Sequence, residues 1–407
     1  MRILITHIKT LYGLHPASCL RLSGADMGVA HSLDDAWLSL VDGVVEDYGP
    51  MSAIRQDRHA DETVDARGGL VLPAFCDSHT HLVYAGSREH EWEDKIRGLS
   101  YAEVARRGGG ILNSVDLLHQ TPEEELFRQA MERMREIMDK GTGCVEIKSG
   151  YGLNTADELK MLRVIRRVRE SVPIRVVSTF LGAHAVARDY VGRQAEYVDL
   201  VIREMLPEVA KEKLADFVDV FCDKGFFTPE ETDRMLEAAA KYGLRPKVHV
   251  DELASCGGLP VCVRHHAVSV DHLENMDERD IPLLKASDTM PTLLPGTSFF
   301  SNMPYGKGRM MIDSGLAVAL ASDYNPGSTP SGDMRFVMSL ACMKMRLLPT
   351  EALNATTING AAAMGLSGTH GSIRRGARPG IIQTRPIPSL TYLPYAYTTP
   401  CIERTFF

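Results

Sequence analysis

Residues 69–91 read GLVLPAFCDSHTHLVYAGSREHE. The run 71–76 is apolar apart from Pro73 and stops abruptly at Asp77-Ser78-His79-Thr80-His81. That is the pattern of a buried strand that delivers polar groups at its end. On an extended segment residues i and i+2 share a face, so the imidazoles of His79 and His81 can reach one metal ion. An H-x-H alone is a weak signal, because two loop histidines read the same way. The rest of the chain decides.

Seven further apolar runs follow, at 143–148, 174–181, 217–222, 247–250, 267–270, 289–294 and 318–321, with helical patterns between several of them. Helix starts are marked at Thr121-Pro122-Glu123-Glu124, at Thr228-Pro229-Glu230-Glu231 and at 155–158, where a capping residue precedes a glutamate. Eight strands alternating with helices predict an α/β fold, a (β/α)8 TIM-type barrel over 68–362 with its site at the carboxyl ends of the strands. Before it, short apolar segments at 2–8 and 37–45, with Asp42-Gly43 as a turn signal, predict strands. A small sandwich-like β domain built from both chain termini, 1–67 plus 363–407, is the expected companion.

Composition narrows the function. The chain has 407 residues, 44% hydrophobic and 24% charged, with a formal net charge of -8. Nucleic acid and anionic membrane surfaces call for a basic face, so the expected partner is a small molecule, with no nucleic acid and no membrane. The eight cysteines include no C-x-x-C pair, the start lacks a secretory h-region, and no apolar run is long enough to span a bilayer. A cytoplasmic location with reduced thiols is expected. An apolar face on a barrel helix would suit a homodimer, but the sequence leaves the oligomeric state open.

The polar residues that follow the predicted strands converge on one rim. His79 and His81 follow the first, Glu146 to Gly152 the second, His184 the third, His249 to Glu252 the fifth, Asp271-His272 the sixth and Asp323 to Ser328 the eighth. Three imidazoles (His79, His81, His249) with the Asp323 carboxylate suit one divalent metal ion, zinc or iron, that keeps a water molecule and lowers its pKa. Glu252, three residues past His249, is placed to carry protons, and His272 to polarise a carbonyl.

At these residues the sequence resembles the amidohydrolase superfamily, metal-dependent hydrolases on a (β/α)8 barrel. The matching text is DSHTHLVYAGSR (77–88), GGGI (108–111), VEIKSGYGL (145–153), TFLGAH (179–184), VDVFCDKG (218–225), KVHVDE (247–252), VDHL (270–273), LPGTSF (294–299) and ASDYNPGSTPSG (321–332). The resemblance implies His79, His81, His249 and Asp323 as metal ligands, with Glu252, His272 and Asp323 as catalytic residues. It implies Arg88, Tyr151, His184, Glu252, Asn325, Gly327 and Ser328 as substrate contacts, and Lys148 as a structural residue.

The wording is most similar to members that act in histidine degradation. These open the ring of 4-imidazolone-5-propanoate to N-formimidoyl-L-glutamate by attack of a metal-bound hydroxide on the ring amide carbonyl. An anionic ring substrate suits a guanidinium and a phenol as donors. The alternative is another amidohydrolase of a cyclic amide or amidine, such as a base deaminase, whose neutral substrate offers Arg88 and Tyr151 no carboxylate. A non-catalytic metal- or ligand-binding protein is the rival from another class. One departure stands at 371–384, where relatives carry an aspartate that this chain lacks.

Overall fold

The computed structural model describes residues 1–55, 59–99, 103 and 109–407. Gly108, the first residue of the GGGI match, lies outside them. Five strands come first: β1 (Arg2–Tyr12), β2 (Ser32–Val41), β3 (Val44–Pro50), β4 (Glu62–Asp65) and β5 (Leu70–Pro73). Eight follow at intervals: β6 (Phe75–Asp77), β7 (Thr142–Lys148), β8 (Arg175–Ala183), β9 (Phe217–Cys222), β10 (Arg245–Val250), β11 (Ser269–His272), β12 (Met290–Leu293) and β13 (Ala319–Leu320). The chain ends with β14 (Ile381–Thr384) and β15 (Ile402–Phe406).

Two sheets result. One runs β15-β14-β5-β1-β2-β3 with β4 beside β1, so strands from both chain ends share it, as expected. Its core is its own: Ile5, Ile8, Leu11, Leu38, Leu40, Val71, Ile381 and Phe406 form a cluster apart from the main one. Asp42 and Gly43 both take positive φ, 50° and 76°, and join β2 to β3 in the mirror-image turn that matches strand twist.

The other sheet runs in chain order from β6 to β13, every pair parallel, which is the predicted barrel. It closes just beyond the strand ends. Thr80 bridges Tyr324 in parallel, the His81 amide donates to Tyr324 O at 2.9 Å, and the Asp323 amide donates to His79 O at 3.0 Å. The Asp77 carboxylate adds two bonds, accepting from Ser322 N at 2.9 Å and Ser322 Oγ at 2.6 Å. The seam of the barrel is therefore made by the segments that carry His79, His81 and Asp323.

Four sequence readings are corrected. The run 71–76 is not one strand. Leu70–Pro73 pairs with β1 and β14 in the terminal sheet, and the barrel begins at Phe75. Pro73 has no amide to continue a ladder, and both halves are buried, so hydrophobicity alone conceals the break. The sixth barrel strand lies at Ser269–His272, two residues later than 267–270, because the upper barrel interior is lined by polar side chains rather than apolar ones.

At the helix Glu123–Asp139 no capping box forms. Thr121 Oγ1 instead donates to Leu117 O at 2.7 Å, which closes the preceding helix. At Thr155–Ser171 the cap is Asn154, and Glu158 turns inward to hold a loop. Only Thr228 builds the expected box, with its side chain accepting from Glu231 N and Glu231 accepting from Thr228 N.

Candidate active site

The placement of His79 and His81 is set by the seam. Between Asp77 and Leu82 the chain stays extended, bonded to β7 on one side (Lys148 N to Thr80 O, 2.9 Å) and to Tyr324 on the other. His79 and His81 therefore face the same way, and Thr80 turns back to donate to Glu146 O at 2.6 Å. Asp323 Oδ1 lies 3.6 Å from Nε2 of both histidines. His249, from β10, brings its ring to 4.4 Å from that of His79 and 5.4 Å from that of His81.

Three of the candidate ligands, His79, His249 and Asp323, are aimed by a partner beneath them. His79 Nδ1 is 2.7 Å from Asp271 Oδ2, and His249 Nδ1 is 2.7 Å from Asp219 Oδ2. Asp323 Oδ2 accepts from Thr297 Oγ1 at 2.6 Å and from Ser328 Oγ at 3.1 Å, which leaves Oδ1 toward the histidines. Below them the buried Lys148 Nζ lies 2.9 Å from Asp219 Oδ2, 3.0 Å from Glu146 Oε1 and 3.6 Å from Asp271 Oδ2. The ammonium balances the carboxylates that hold both histidines, which is the structural role expected of Lys148.

These partners leave a metal-shaped need. His79 Nε2 is buried with no hydrogen-bond partner among the described residues, an expensive state for a ring nitrogen. Burial first, and then Lys148 and neighbouring imidazoles, push the His79 pKa well below its usual value. Burial is also the main cause of the lowering at His81 and His249. Neutral rings offer nitrogen lone pairs, the form that binds cations, and at His79 and His249 the engaged Nδ1 leaves Nε2 for that role.

Two donors that share a tetrahedral cation at about 2.1 Å stand about 3.4 Å apart. The Asp323 to histidine separations of 3.6 Å fit that. His79 also groups with His249 and His272, one donor atom of each lying within 4.8 Å of the others.

The remaining predicted residues surround a cavity of about 810 Å³. His81, Arg88, Tyr151, His184, His249, Glu252, His272, Asp323, Asn325, Gly327 and Ser328 all line it, and His79 alone lies beneath its floor. His184 stacks on His81 at 5.1 Å, its Nδ1 donates to Gly150 O at 2.9 Å, and burial lowers its pKa to about 4. Asn325 braces the strand-eight loop, accepting from the Gly327 and Ser328 amides at 2.7 and 2.8 Å.

His272 Nε2 is 3.6 Å from Glu252 Oε2, and its Nδ1 is 3.5 Å from Glu274 Oε2. Burial lowers the His272 pKa, but the carboxylates of Glu252, Glu274 and Asp323 outweigh it and raise it overall. Burial, opposed by His272 and assisted by Glu274 and Asp323, raises the Glu252 pKa. Glu252 is thus disposed to hold a proton. Leu153, Asp251, His272, Leu273 and Asp323 take left-handed φ between 51° and 84°, a concentration of backbone strain around the rim.

Sequence reasoning missed several supporting groups. Asp219 and Asp271 carry no role until His249 and His79 are placed above them. Glu158 accepts from Gly152 N at 2.7 Å, Leu153 N at 3.0 Å and Gly150 N at 3.2 Å, and so shapes the Tyr151 loop. A Cβ on Gly152 would lie 2.3 Å from Glu158 N, so the turn requires glycine. Glu91 takes the Arg88 guanidinium, and Trp92 and Phe300 stack at the cavity mouth with centroids 6.2 Å apart. The glutamate's place downstream of an H-x-H was no signal by itself.

A barrel with this rim defines a class, and residues 70–397 match the amidohydrolase family. The chain belongs to that family. Within it, the chain is 51% identical over 406 residues to the Imidazolonepropionase of Christiangramia forsetii, covering 100% of this chain and 98% of that one. It is 50% identical over 406 residues to the Imidazolonepropionase of Flavobacterium psychrophilum, with the same coverage.

Among solved structures it is similar to a triazine hydrolase variant (TM-score 0.73, 15% identity, covering 100% of this chain and 93% of that one). It is likewise similar to 5-methylcytosine deaminase from Klebsiella pneumoniae liganded with phosphonocytosine (TM-score 0.72, 18% identity, covering 100% and 96%). At those identities the likeness shows the fold.

Proposed function

We propose that this protein is a metal-dependent hydrolase that opens the ring of 4-imidazolone-5-propanoate to give N-formimidoyl-L-glutamate. The observation that carries the reading is the full-length similarity to proteins named Imidazolonepropionase, at 51% and 50% identity. The grouping of His79 with His81 and Asp323, and the approach of the His249 ring to both histidines, support it. A divalent cation, zinc or iron, held by those four residues would supply Lewis-acid polarisation of the ring carbonyl and acidify water within its reach.

The rest of the chemistry falls to the chain. Arg88 and Tyr151 hold the propionate, and Asn325, Gly327 and Ser328 shape the wall opposite them. His184 and His272 border the ring, and His272 donates to the carbonyl oxygen as negative charge develops there. Glu252 takes a proton from the attacking water and returns it to the departing ring nitrogen. Hydrolysis is complete when the carbonyl carbon carries the hydroxyl and the nitrogen carries that proton.

Deamination of a neutral base is not favoured, since the full-length relatives at 50% and 51% identity are named Imidazolonepropionase and a neutral base would bring no carboxylate to Arg88. The test is a comparison of 4-imidazolone-5-propanoate with its methyl ester and with cytosine on the metal-loaded protein. The acid is expected to be the preferred substrate, and faster turnover of cytosine would sink the reading.

Location and assembly belong to the same proposal, a cytoplasmic enzyme of small-molecule metabolism. Among the described residues no helix is long and apolar enough to cross a membrane. Phe299, Phe336 and Tyr397 form a partly exposed aromatic row with centroids 5.4 and 5.3 Å apart, a face suited to pairing two copies. Sedimentation of the purified protein decides between monomer and dimer.

A further inference from the structure

Two thiols lie behind the loop that carries Glu252. Cys222 ends β9 and is fully buried, Cys256 is partly exposed, and their Sγ atoms are 3.9 Å apart. The Cys256 thiol also donates to Cys222 O at 3.4 Å. A disulfide has an S–S length near 2.05 Å, so the sulfurs need to close by about 2 Å.

The partners differ in freedom. A Cβ built on Gly258 would stand 2.5 Å from Cys222 Sγ, so that sulfur is seated against backbone. Gly257, beside Cys256, has φ 84°, and a Cβ placed there would meet no heavy atom of the described residues within 4 Å. Cys256 is the partner that moves.

Its movement is transmitted to Glu252. The Cys256 amide donates to Asp251 Oδ1 at 3.2 Å. Asp223, next to Cys222, accepts from Leu253 N at 2.9 Å and Ala254 N at 3.1 Å, and Asn275 Nδ2 donates to Glu252 O. Glu252 therefore sits in a short arch tied at both ends, and one of those ends is the strand terminus that holds Cys222. Displacing one foot of the arch shifts a proton carrier whose placement within about 1 Å governs rate.

We propose that Cys222 and Cys256 are a peroxide-oxidised modification site whose disulfide displaces Glu252 and reversibly slows the enzyme. The Cys256 thiolate attacks hydrogen peroxide, forming an S–O bond as the O–O bond breaks and hydroxide leaves. The Cys222 thiol, whose pKa is raised by the hydrogen bond to Cys256 and by burial, then loses its proton as its sulfur displaces hydroxide from the Cys256 sulfur to form the S–S bond. Two thiols are oxidised, one peroxide is reduced, and with the two thiol protons the leaving oxygens become two waters. The lowered pKa of Cys256, due first to the hydrogen bond from Cys222 and opposed by burial, favours it as the attacking thiol.

The activity part rests on the role given to Glu252 above; the bond itself does not. Full-length, metal-loaded protein is treated with hydrogen peroxide and followed by peptide mass mapping, by turnover and by amide exchange. The expected result is a Cys222–Cys256 crosslink lighter by two hydrogens and a turnover loss of about tenfold or more. Faster exchange at Leu253 and Ala254 is expected with it, and dithiothreitol should reverse all three. Cys256→Ser should match the untreated enzyme and resist peroxide. The proposal is overturned by absence of the crosslink, by a crosslink with unchanged exchange and turnover, or by equal peroxide sensitivity in Cys256→Ser. If untreated protein leaves 4-imidazolone-5-propanoate intact, the functional reading fails, and the crosslink and exchange still decide the thiol chemistry.

Discussion

Arg88 is gripped by Glu91, with Nε and Nη2 donating to the same oxygen, Oε2, at 3.0 and 2.6 Å. Glu91 also accepts from Gly110 N and Asn113 Nδ2, each at 3.1 Å, so the carboxylate fixes both the arginine and the chain beyond it. The other edge of the guanidinium faces Gly327, where a Cβ would stand 2.3 Å from Nη1. A fixed planar fork in a cavity wall suits a carboxylate tail, with little ordering cost left at binding.

Arg88→Lys keeps the charge beside Glu91 but loses the fork. The expected outcome in steady-state kinetics is a KM for 4-imidazolone-5-propanoate raised by about ten- to a hundredfold, because charge-assisted bonds contribute about 1.5–3 kcal/mol. Turnover should change much less. An unchanged KM would remove Arg88 from the substrate site.

Gly327→Ala should act in the same direction by displacing the guanidinium rather than by backbone strain. Its Cβ meets the flexible end of a side chain, so stability is expected to fall little while KM rises. Thermal melts beside kinetics separate the two effects, and a large loss of stability with KM intact would contradict the assignment.

Asp271 and Asp219 aim His79 and His249. Asp271→Asn and Asp219→Asn should each weaken metal binding by about ten- to a hundredfold, read by competition with a chelator. Wild-type affinity in both variants would mean that the metal position lies elsewhere.

The buried His15 has no hydrogen-bond partner for either ring nitrogen among the described residues, and burial, with His31 and Arg374 adding, lowers its pKa to about 4. The folded chain therefore refuses a proton that the unfolded chain accepts below about 6.5. The stability it contributes is present above that pH and is lost as pH falls toward 4, at up to about 1.4 kcal/mol per pH unit. Urea unfolding across this window should show a shallower pH dependence in His15→Gln. Identical slopes in the two proteins would show that His15 is not the group responsible.

What the sequence revealed and concealed follows from where each residue sits. His79 and Asp323 were legible because each follows an apolar run, so a strand end is marked by the change in polarity, and His249 because it stands near the end of the fifth run, just before Asp251 and Glu252. The supports below them were not. Asp219 and Lys148 stand within apolar runs, where one strand's alternation cannot show that two carboxylates from β9 and β11 meet one ammonium from β7. Glu91 reads as an acidic residue in a helix's first turn, and only tertiary folding buries it. The break at Ala74 was hidden because the chain leaves one buried sheet and enters another with no polar residue between them.

The most direct test of the account follows N-formimidoyl-L-glutamate by NMR as apo protein is titrated with zinc or ferrous ion in the presence of 4-imidazolone-5-propanoate. The account predicts that product formation rises with added metal, saturates at one equivalent per chain, and is lost by about a hundredfold or more in Glu252→Gln. Product formed at the full rate by metal-free protein, or substrate left intact by the saturated wild type, would contradict it.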